Sequence, residues 1–324
     1  MSESAPGIEH RVYPIGAFSE KEILSVYTDS LCAEEATVDD LMNEWREKVQ
    51  AFERTPSPSL DPSDSDLLSI AAKAETVERI ESMLRSYRDY LPPTFDLALV
   101  PISKLVTPQV SISRDHASSI LKDATGPVSD DENASLCLGS PASTGRVEAA
   151  YLGAPRGPSF ANSSTYVYQF SSDDPTLKFI QVPALRPIRE VDLATEGAAF
   201  SYHAKSIPVM VGLGLPIVHV LRISRATGPS GPTVSRLALA NGIHRVFRLA
   251  ELGNTHAAAM VQTLSFDEVS NPLIDGPKEK VFASKPITIS TLADGGVSRV
   301  FKWKKSKRVL RLQVTVNQEA SYVA

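Results

Sequence analysis

Apolar side chains recur at helical spacing through the first 90 residues. In TVDDLMNEWREKVQAFERT, Leu41, Trp45, Val49 and Phe52 fall at i, i+4, i+8 and i+11, one stripe on one helix face. Thr37 is placed to cap this helix, with Asp39 and Asp40 at the positive end of its dipole. FSEKEILSVYTDSLC predicts a shorter helix, opened by Ser19, with Glu22 completing a capping box that satisfies free amides. A third helix is predicted from about Leu67 to Tyr90, stopped by Pro92 and Pro93. Between the second and third, the stretch TPSPSLDPSDSD, Thr55 to Asp66, loses the period and is expected to be an exposed, mobile linker. Residues 1–93 therefore read as an acidic helical module that packs on the rest of the chain or on a protein partner.

From Thr94 the period shifts toward two. FDLALVPISKLVTP predicts a strand and SISRDHASSILKDATG a short helix. From Pro127 to about Ser164 the composition turns to Ser, Gly, Pro, Asp and Ala, the texture of a long loop. TYVYQFSS and LKFIQVPAL, with the turn Asp173-Asp174-Pro175 between them, predict an antiparallel pair, because Tyr166, Tyr168 and Phe170 alternate. SIPVMVGLGLPIVHVLRIS predicts one or two buried strands, RATGPSGPTVS a hairpin loop, and RLALA the next strand. Near the end, RVFKWKKSKRVLRLQVTVN predicts a β-hairpin with Lys304, Lys305, Ser306 and Lys307 at its bend. The expectation is a mixed α/β (α+β) protein in three parts. Residues 1–93 are the helical module with its linker at 55–66; 94–270 are an α/β domain with an insertion near 121–200; 271–324 are a β-rich tail.

Composition changes this picture little. The 324 residues are 42% hydrophobic and 22% charged, with a net charge of −5, which argues against a general nucleic-acid coat. Cys32 and Cys137 stand far apart with no C-x-x-C, which fits unpaired thiols in a reducing compartment. The opening MSESAPGIEH is polar, unlike a cleaved leader. The longest apolar stretch, Ile207 to Ile223, is broken by Pro208, Gly212, Gly214, Pro216 and His219, so it reads as buried strand and turn rather than a membrane span. A cytoplasmic protein without membrane association is expected.

Candidate chemistry concentrates at one junction. In RLALANGIHRVFRLAELGNTHAAAMVQ a strand meets Asn241-Gly242-Ile243-His244-Arg245, then a helix of two to three turns, closed by Gly253 as a left-handed cap, and a further strand. A helix start preceded by glycine presents unpaired amides and partial positive charge, suited to phosphate or carboxylate. His244 and Arg245 add side-chain donors there, and Arg grips two phosphate oxygens at once. Spacing alone leaves two readings open: an anion site, or a plain tight turn with solvated His and Arg.

This junction, HVLRIS…RLALANGIHRVFRLAELGNTHAAAMVQ (219–262), together with LALVPISKLVTPQVSISRDHASSI (97–120), resembles the ParB/sulfiredoxin-like fold in under a quarter of the chain. In that superfamily a Gly-x-x-Arg turn binds nucleotide phosphates: CTP in ParB clamps, ATP in sulfiredoxins, ADP in free serine kinases. The resemblance nominates Gly242, His244 and Arg245, with Asn241 supporting the turn, and implies a nucleotide (ATP, ADP or CTP) with Mg²⁺. Sulfiredoxins carry their nucleophilic Cys where this chain has Ile243, so sulfinic-acid reduction is not expected. No helix pair is read downstream of Gln262, which argues against sequence-specific DNA binding of the ParB kind. Kinase members need a carboxylate base, for which Asp96 and Asp115 are the nearest candidates. The resemblance thus implies a nucleotide-binding protein, with NTP hydrolysis or phosphoryl transfer at the Gly242–Arg245 turn. The competing reading is a non-catalytic scaffold of the same fold that binds protein or nucleic acid.

Other constellations are weaker. His203, His219 and His256 lack the local spacing of metal ligands, and no metal site is assigned. Lys302, Lys304, Lys305, Lys307 and Arg308, interleaved with Phe301 and Trp303, are the candidate contact for nucleic acid or a partner. Lysines also keep strand edges from aggregating, which would explain the same cluster.

Overall fold

The computed structural model describes residues 7–56, 59–86, 92, 94–139, 148–153, 163–172, 177–180, 210–213, 217–228, 231–269, 278–305 and 308–317. The chain is a mixed α+β protein that divides into two compact units: residues 1–83, 93–141 and 215–306, and residues 84–92, 142–214 and 307–324.

The first unit is built on a five-stranded sheet. Its strands are β2 (Asp96–Pro101), β3 (Leu105–Val106), β9 (His219–Ala226), β10 (Thr233–Asn241) and β11 (His256–Ser265), in the order β2-β11-β9-β10-β3. β9 and β10 form the expected hairpin, β11 runs parallel to β9, and β2 is antiparallel to β11. Central strands covered on both faces need continuous apolar runs. β11 accordingly buries Ala257 through Val261, and β10 buries Leu237 through Ala240.

A second, three-stranded sheet in this unit has the order β12-β1-β4, from β12 (Arg299–Lys304), β1 (Ile8–Tyr13) and β4 (Ile112–Ser113). Helices α1 (Glu20–Asp29) and α2 (Val38–Arg54) share its core: Tyr13, Ile15, Phe18, Ile23, Tyr27, Leu41, Met42 and Phe301 form one buried cluster, with Trp45 and Trp303 packed against it. The Ser19–Glu22 capping box and the Thr37 cap form as the sequence predicts. The N-terminal residues are nevertheless more than a helical module, because β1 binds them to a strand near residue 300.

Four other expectations are corrected. The third helix, α3 (Ala74–Ser86), begins later than Leu67, because Leu68 is held extended by reciprocal backbone bonds with Leu99 (3.1 and 2.8 Å). Helix α5 (Asp130–Leu138) stands where a long loop was expected; it is opened by a Ser129–Glu132 capping box and fixed to β11 by the buried Asn133. Strands β6 (Ser163–Ser172) and β7 (Leu177–Ile180) do not pair with each other. In the second unit β6 lies between β5 (Glu148–Gly153) and β13 (Arg308–Asn317), while β7 pairs with β8 (Met210–Leu213). The basic hairpin is also not a hairpin. β12 pairs with β1 and β13 with β6, since each finds a long antiparallel partner elsewhere in the chain. The remainder of the 121–200 insertion falls largely outside the described residues. In the tail, α7 (Lys278–Val281) and α8 (Ile289–Ala293) precede β12.

The stretch expected to be a mobile linker is docked over its described part, 59–66. Leu60 and Pro62 are buried on alternate sides of exposed Asp61, and Leu60 joins the core of Val106, Leu221, Ile223 and Ala238. Asp61 Oδ1 accepts the Ser235 amide at 3.0 Å, capping the edge of β10 ahead of its pairing with β3. Edge strands need such cover. Asp66 takes Lys104 Nζ at 2.8 Å and both the amide and hydroxyl of Ser63, which hold its carboxyl down at about 2, Lys104 contributing most.

A folded-state value below the unfolded one, about 4, stabilises the fold above pH 4 and is lost as pH falls toward 2. Urea midpoints measured between pH 5 and pH 2 should therefore fall less steeply in Asp66→Asn than in the parent. An unchanged slope would remove Asp66 from the account.

Candidate functional site

The candidate site is the junction of β10 with α6 (Ile243–Glu251), and each of its residues has a local cause. Gly242 caps the helix in the left-handed region at φ +92°. A Cβ there would lie 2.7 Å from Val218 Cγ2 and 3.0 Å from Val218 Cα. Glycine is thus demanded twice, by φ and by the close passage of the segment leading into β9. Asn241 holds that same segment through Nδ2, which donates to the Ile217 carbonyl at 2.6 Å. Gly253 at φ +86° closes the helix, as its position in the sequence suggests.

Helix α6 buries Ile243, Val246, Phe247 and Leu249 against the sheet. Ile243 is only 7% exposed, so it is a packing residue of the turn. The first carbonyl, that of Gly242, accepts the amides of Arg245 and Val246. The amides of Ile243 and His244 belong to the first turn, ahead of the first intrahelical bond.

The two charged or titratable side chains of the turn go to different places. The ring of His244 meets that of His116 edge to face, with centroids 4.7 Å apart. His116 stands on α4 (Arg114–Ser119), whose cap Ser113 accepts its amide. Arg245 turns toward the end of α5, and its Nη1 is buried with no hydrogen-bond acceptor among the described residues. Burial pulls its guanidinium below the ordinary value; the neighbouring Cys137 acts weakly in the opposite sense. The Cys137 thiol is fully buried and pushed up to about 12, chiefly by desolvation, so it is a neutral thiol and no nucleophile. Its backbone belongs to the same frame, since the Cys137 carbonyl accepts the Val218 amide at 2.8 Å.

The far end of α6 is locked. Arg248 Nη2 donates to the carbonyls of Leu121 and Ala124, and Glu251 pairs with Arg114 and Arg248 at 3.5 Å each. The start of α6, with first-turn amides, an imidazole pair and a part-buried guanidinium, can hold an anion and move a proton beside it.

No family model, curated protein or solved structure matches this chain.

The other candidates are placed as follows. Asp115 faces His10, accepting its amide at 2.8 Å and lying 3.1 Å from its Nδ1. Asp96 opens β2, paired in register with Val261. Among the described residues no three His, Cys, Asp or Glu side chains gather as a metal would require, and His203 lies outside them. Lys302 is paired with Glu35 at 3.0 Å, while Lys304 and Lys305 are exposed at the end of β12. Lys307 and the side chain of Arg308 lie outside the described residues.

A cavity of about 270 Å³ occurs away from the turn, lined by residues that include Phe52, Leu60, Lys285, Thr288 and Thr291. The Lys285 ammonium caps α2 by donating to the carbonyls of Phe52, Glu53 and Thr55, which uses its three protons. No helix among the described residues is long and apolar enough to cross a membrane.

Sequence reading missed His116 and Asn133. His116 follows a Ser-Arg-Asp helix start, and Asn133 follows the pattern Ser129-Asp-Asp-Glu132, the same box that was legible at Ser19.

Proposed function

We propose that the start of α6 is a phosphate-binding turn and that the chain binds a nucleotide there. The carrying observation is Arg245, whose Nη1 is buried without an acceptor among the described residues. A desolvated cation left unpaired is costly, so the arrangement is better suited to a partner anion than to solvent. The first turn of a helix is also where backbone amides offer an anion neutral donors. The sequence resemblance to nucleotide-binding Gly-x-x-Arg turns favours ATP, ADP or CTP over a simple anion. Mg²⁺ would enter with the phosphates; no cluster of carboxylates at the turn is among the described residues to hold it independently. NTP hydrolysis or phosphoryl transfer would place Arg245 against developing phosphate charge, with His244 and His116 as the nearest proton carriers.

The non-catalytic reading, a scaffold, has one observation of its own. Gly242 is required by its φ and by Val218, so its presence needs no ligand. Thermal unfolding in the presence of ATP, ADP and CTP with Mg²⁺ separates the two. At about a hundred times Kd the bound nucleotide should raise Tm by about 3 °C, and Arg245→Gln should lose that shift. No shift with any of the three, or an equal shift in the variant, would leave the scaffold reading.

A further inference from the structure

The docked acidic segment 59–66 carries a chemistry that the nucleotide reading does not use. Its polar attachments reach Ser235 on β10, Arg222 on β9 and Lys104 in the turn before β3. Asp61 caps the Ser235 amide at 3.0 Å, Asp64 Oδ1 takes Arg222 Nη1 at 2.6 Å, and Lys104 Nζ bridges the Asp61 carbonyl (3.2 Å) and Asp66 Oδ2 (2.8 Å). The last of these oxygens is the keystone. Asp66 Oδ2 also accepts the Ser63 amide at 2.6 Å and the Ser63 hydroxyl at 2.7 Å. Ser63 itself is exposed, its Oγ lies 2.8 Å from that of Ser65, and acidic residues follow it at positions 64 and 66. One exposed hydroxyl, in an acidic context, therefore donates to the carboxylate that latches the segment to Lys104.

We propose that Ser63 is a phosphorylation site and that its modification unlatches Asp61 and residues 63–66 from their polar partners, Ser235 of β10 among them. In the transfer, Ser63 Oγ attacks the γ-phosphorus of a nucleoside triphosphate held by a protein kinase. The bond to the bridging oxygen breaks, the nucleoside diphosphate leaves with that electron pair, and the hydroxyl proton passes to the kinase's base. The product has lost the donor that faced Asp66 Oδ2 and puts nearly two negative charges in its place. Asp64 and Asp66 add two more within the same turn, against the single ammonium of Lys104 and the guanidinium of Arg222, which Asp64, at 90% side-chain exposure, holds only from solvent. Like charges this close repel, and the carboxylate and phosphate compete for one lysine. Leu60 and Pro62 are the apolar anchors that remain, and neither reaches the Ser235 amide. Release uncovers the Ser235 amide of β10 and two basic side chains near it, Arg222 of β9 and Lys104.

The test uses the full chain with phosphoserine installed at position 63, read by hydrogen–deuterium exchange of the Ser235 amide. Exchange there should quicken about ten-fold on phosphorylation. It should quicken likewise in unmodified Asp61→Ala, and stay within about two-fold of the parent in Ser63→Ala, which keeps the Lys104–Asp66 pair. Incubation of the parent chain with ATP and a kinase directed to Ser-x-x-acidic sequences should place phosphate on Ser63. The proposal is overturned by Ser235 exchange that is unchanged or slowed by the phosphate, by an Asp61→Ala variant that leaves it protected, or by phosphate found only elsewhere.

Discussion

Phe301→Ala is expected to destabilise the first unit by about 4 kcal/mol, the range for emptying a fully buried aromatic site. Phe301 has no exposed surface, and its ring meets Tyr13 edge to face with centroids 5.6 Å apart. The same ring lies under the Arg299 guanidinium at 5.1 Å and joins β12 to the helices of the N-terminal residues. Truncation therefore removes the transfer term, leaves a cavity that a strand-anchored backbone closes poorly, and forfeits the aromatic pair, worth about 1 kcal/mol by itself. Phe301→Leu, which refills most of the volume, should lose about a third as much. Both tryptophans of the chain, Trp45 and Trp303, pack on this cluster, so urea unfolding followed by their fluorescence reports this unit. A change below 1 kcal/mol in Phe301→Ala would mean that the N-terminal helices and β12 do not share a core.

Gly242→Ala should destabilise by about 3 kcal/mol, the sum of roughly 1–2 for a non-glycine residue in the left-handed region and 1–3 for overpacking. The new methyl would stand 2.7 Å from Val218 Cγ2 and 3.0 Å from Val218 Cα. The second of these is backbone and cannot rotate away. Val218→Ala in the same chain should thus recover only part of the loss. This non-additivity separates steric crowding from a lost ligand contact. A Gly242→Ala chain of parental stability would show that the turn adopts another conformation.

The parts of the fold that were legible in the sequence are those encoded locally. The box at Ser19–Glu22, the cap at Thr37, the β9–β10 hairpin around Gly228 to Gly231, and the strand, glycine, helix, glycine, strand order from Leu237 to Val261 all follow from neighbours in sequence. Pairing between distant segments was not legible. RVFKWKKSKRVLRLQVTVN has the pattern of a hairpin, yet Val300 pairs with Val12 and Leu310 with Phe170. Nothing within those strands specifies partners nearly 290 and 140 residues away. The segment at 59–66 misled for a related reason. Pro, Ser and Asp lower its own propensity for structure, while Leu60 gains its place from Val106 and Leu221, and Asp61, Asp64 and Asp66 from Ser235, Arg222 and Lys104, which no local window contains. At the candidate site the sequence supplied the turn and its residues. The imidazole partner His116 and the inward course of Arg245 beside Cys137 came from packing of α4 and α5 on α6.

If the start of α6 receives phosphate as proposed, the backbone amides of Ile243 and His244 are its most direct witnesses. Their ¹⁵N–¹H resonances should be followed in the full chain while ATP, ADP or CTP is added with Mg²⁺. The account predicts saturable shifts at Ile243, His244 and Arg245 with at least one of the three nucleotides, and loss of those shifts in Arg245→Gln. Resonances of the turn that stay fixed up to millimolar nucleotide, or that move equally in the variant, would contradict it.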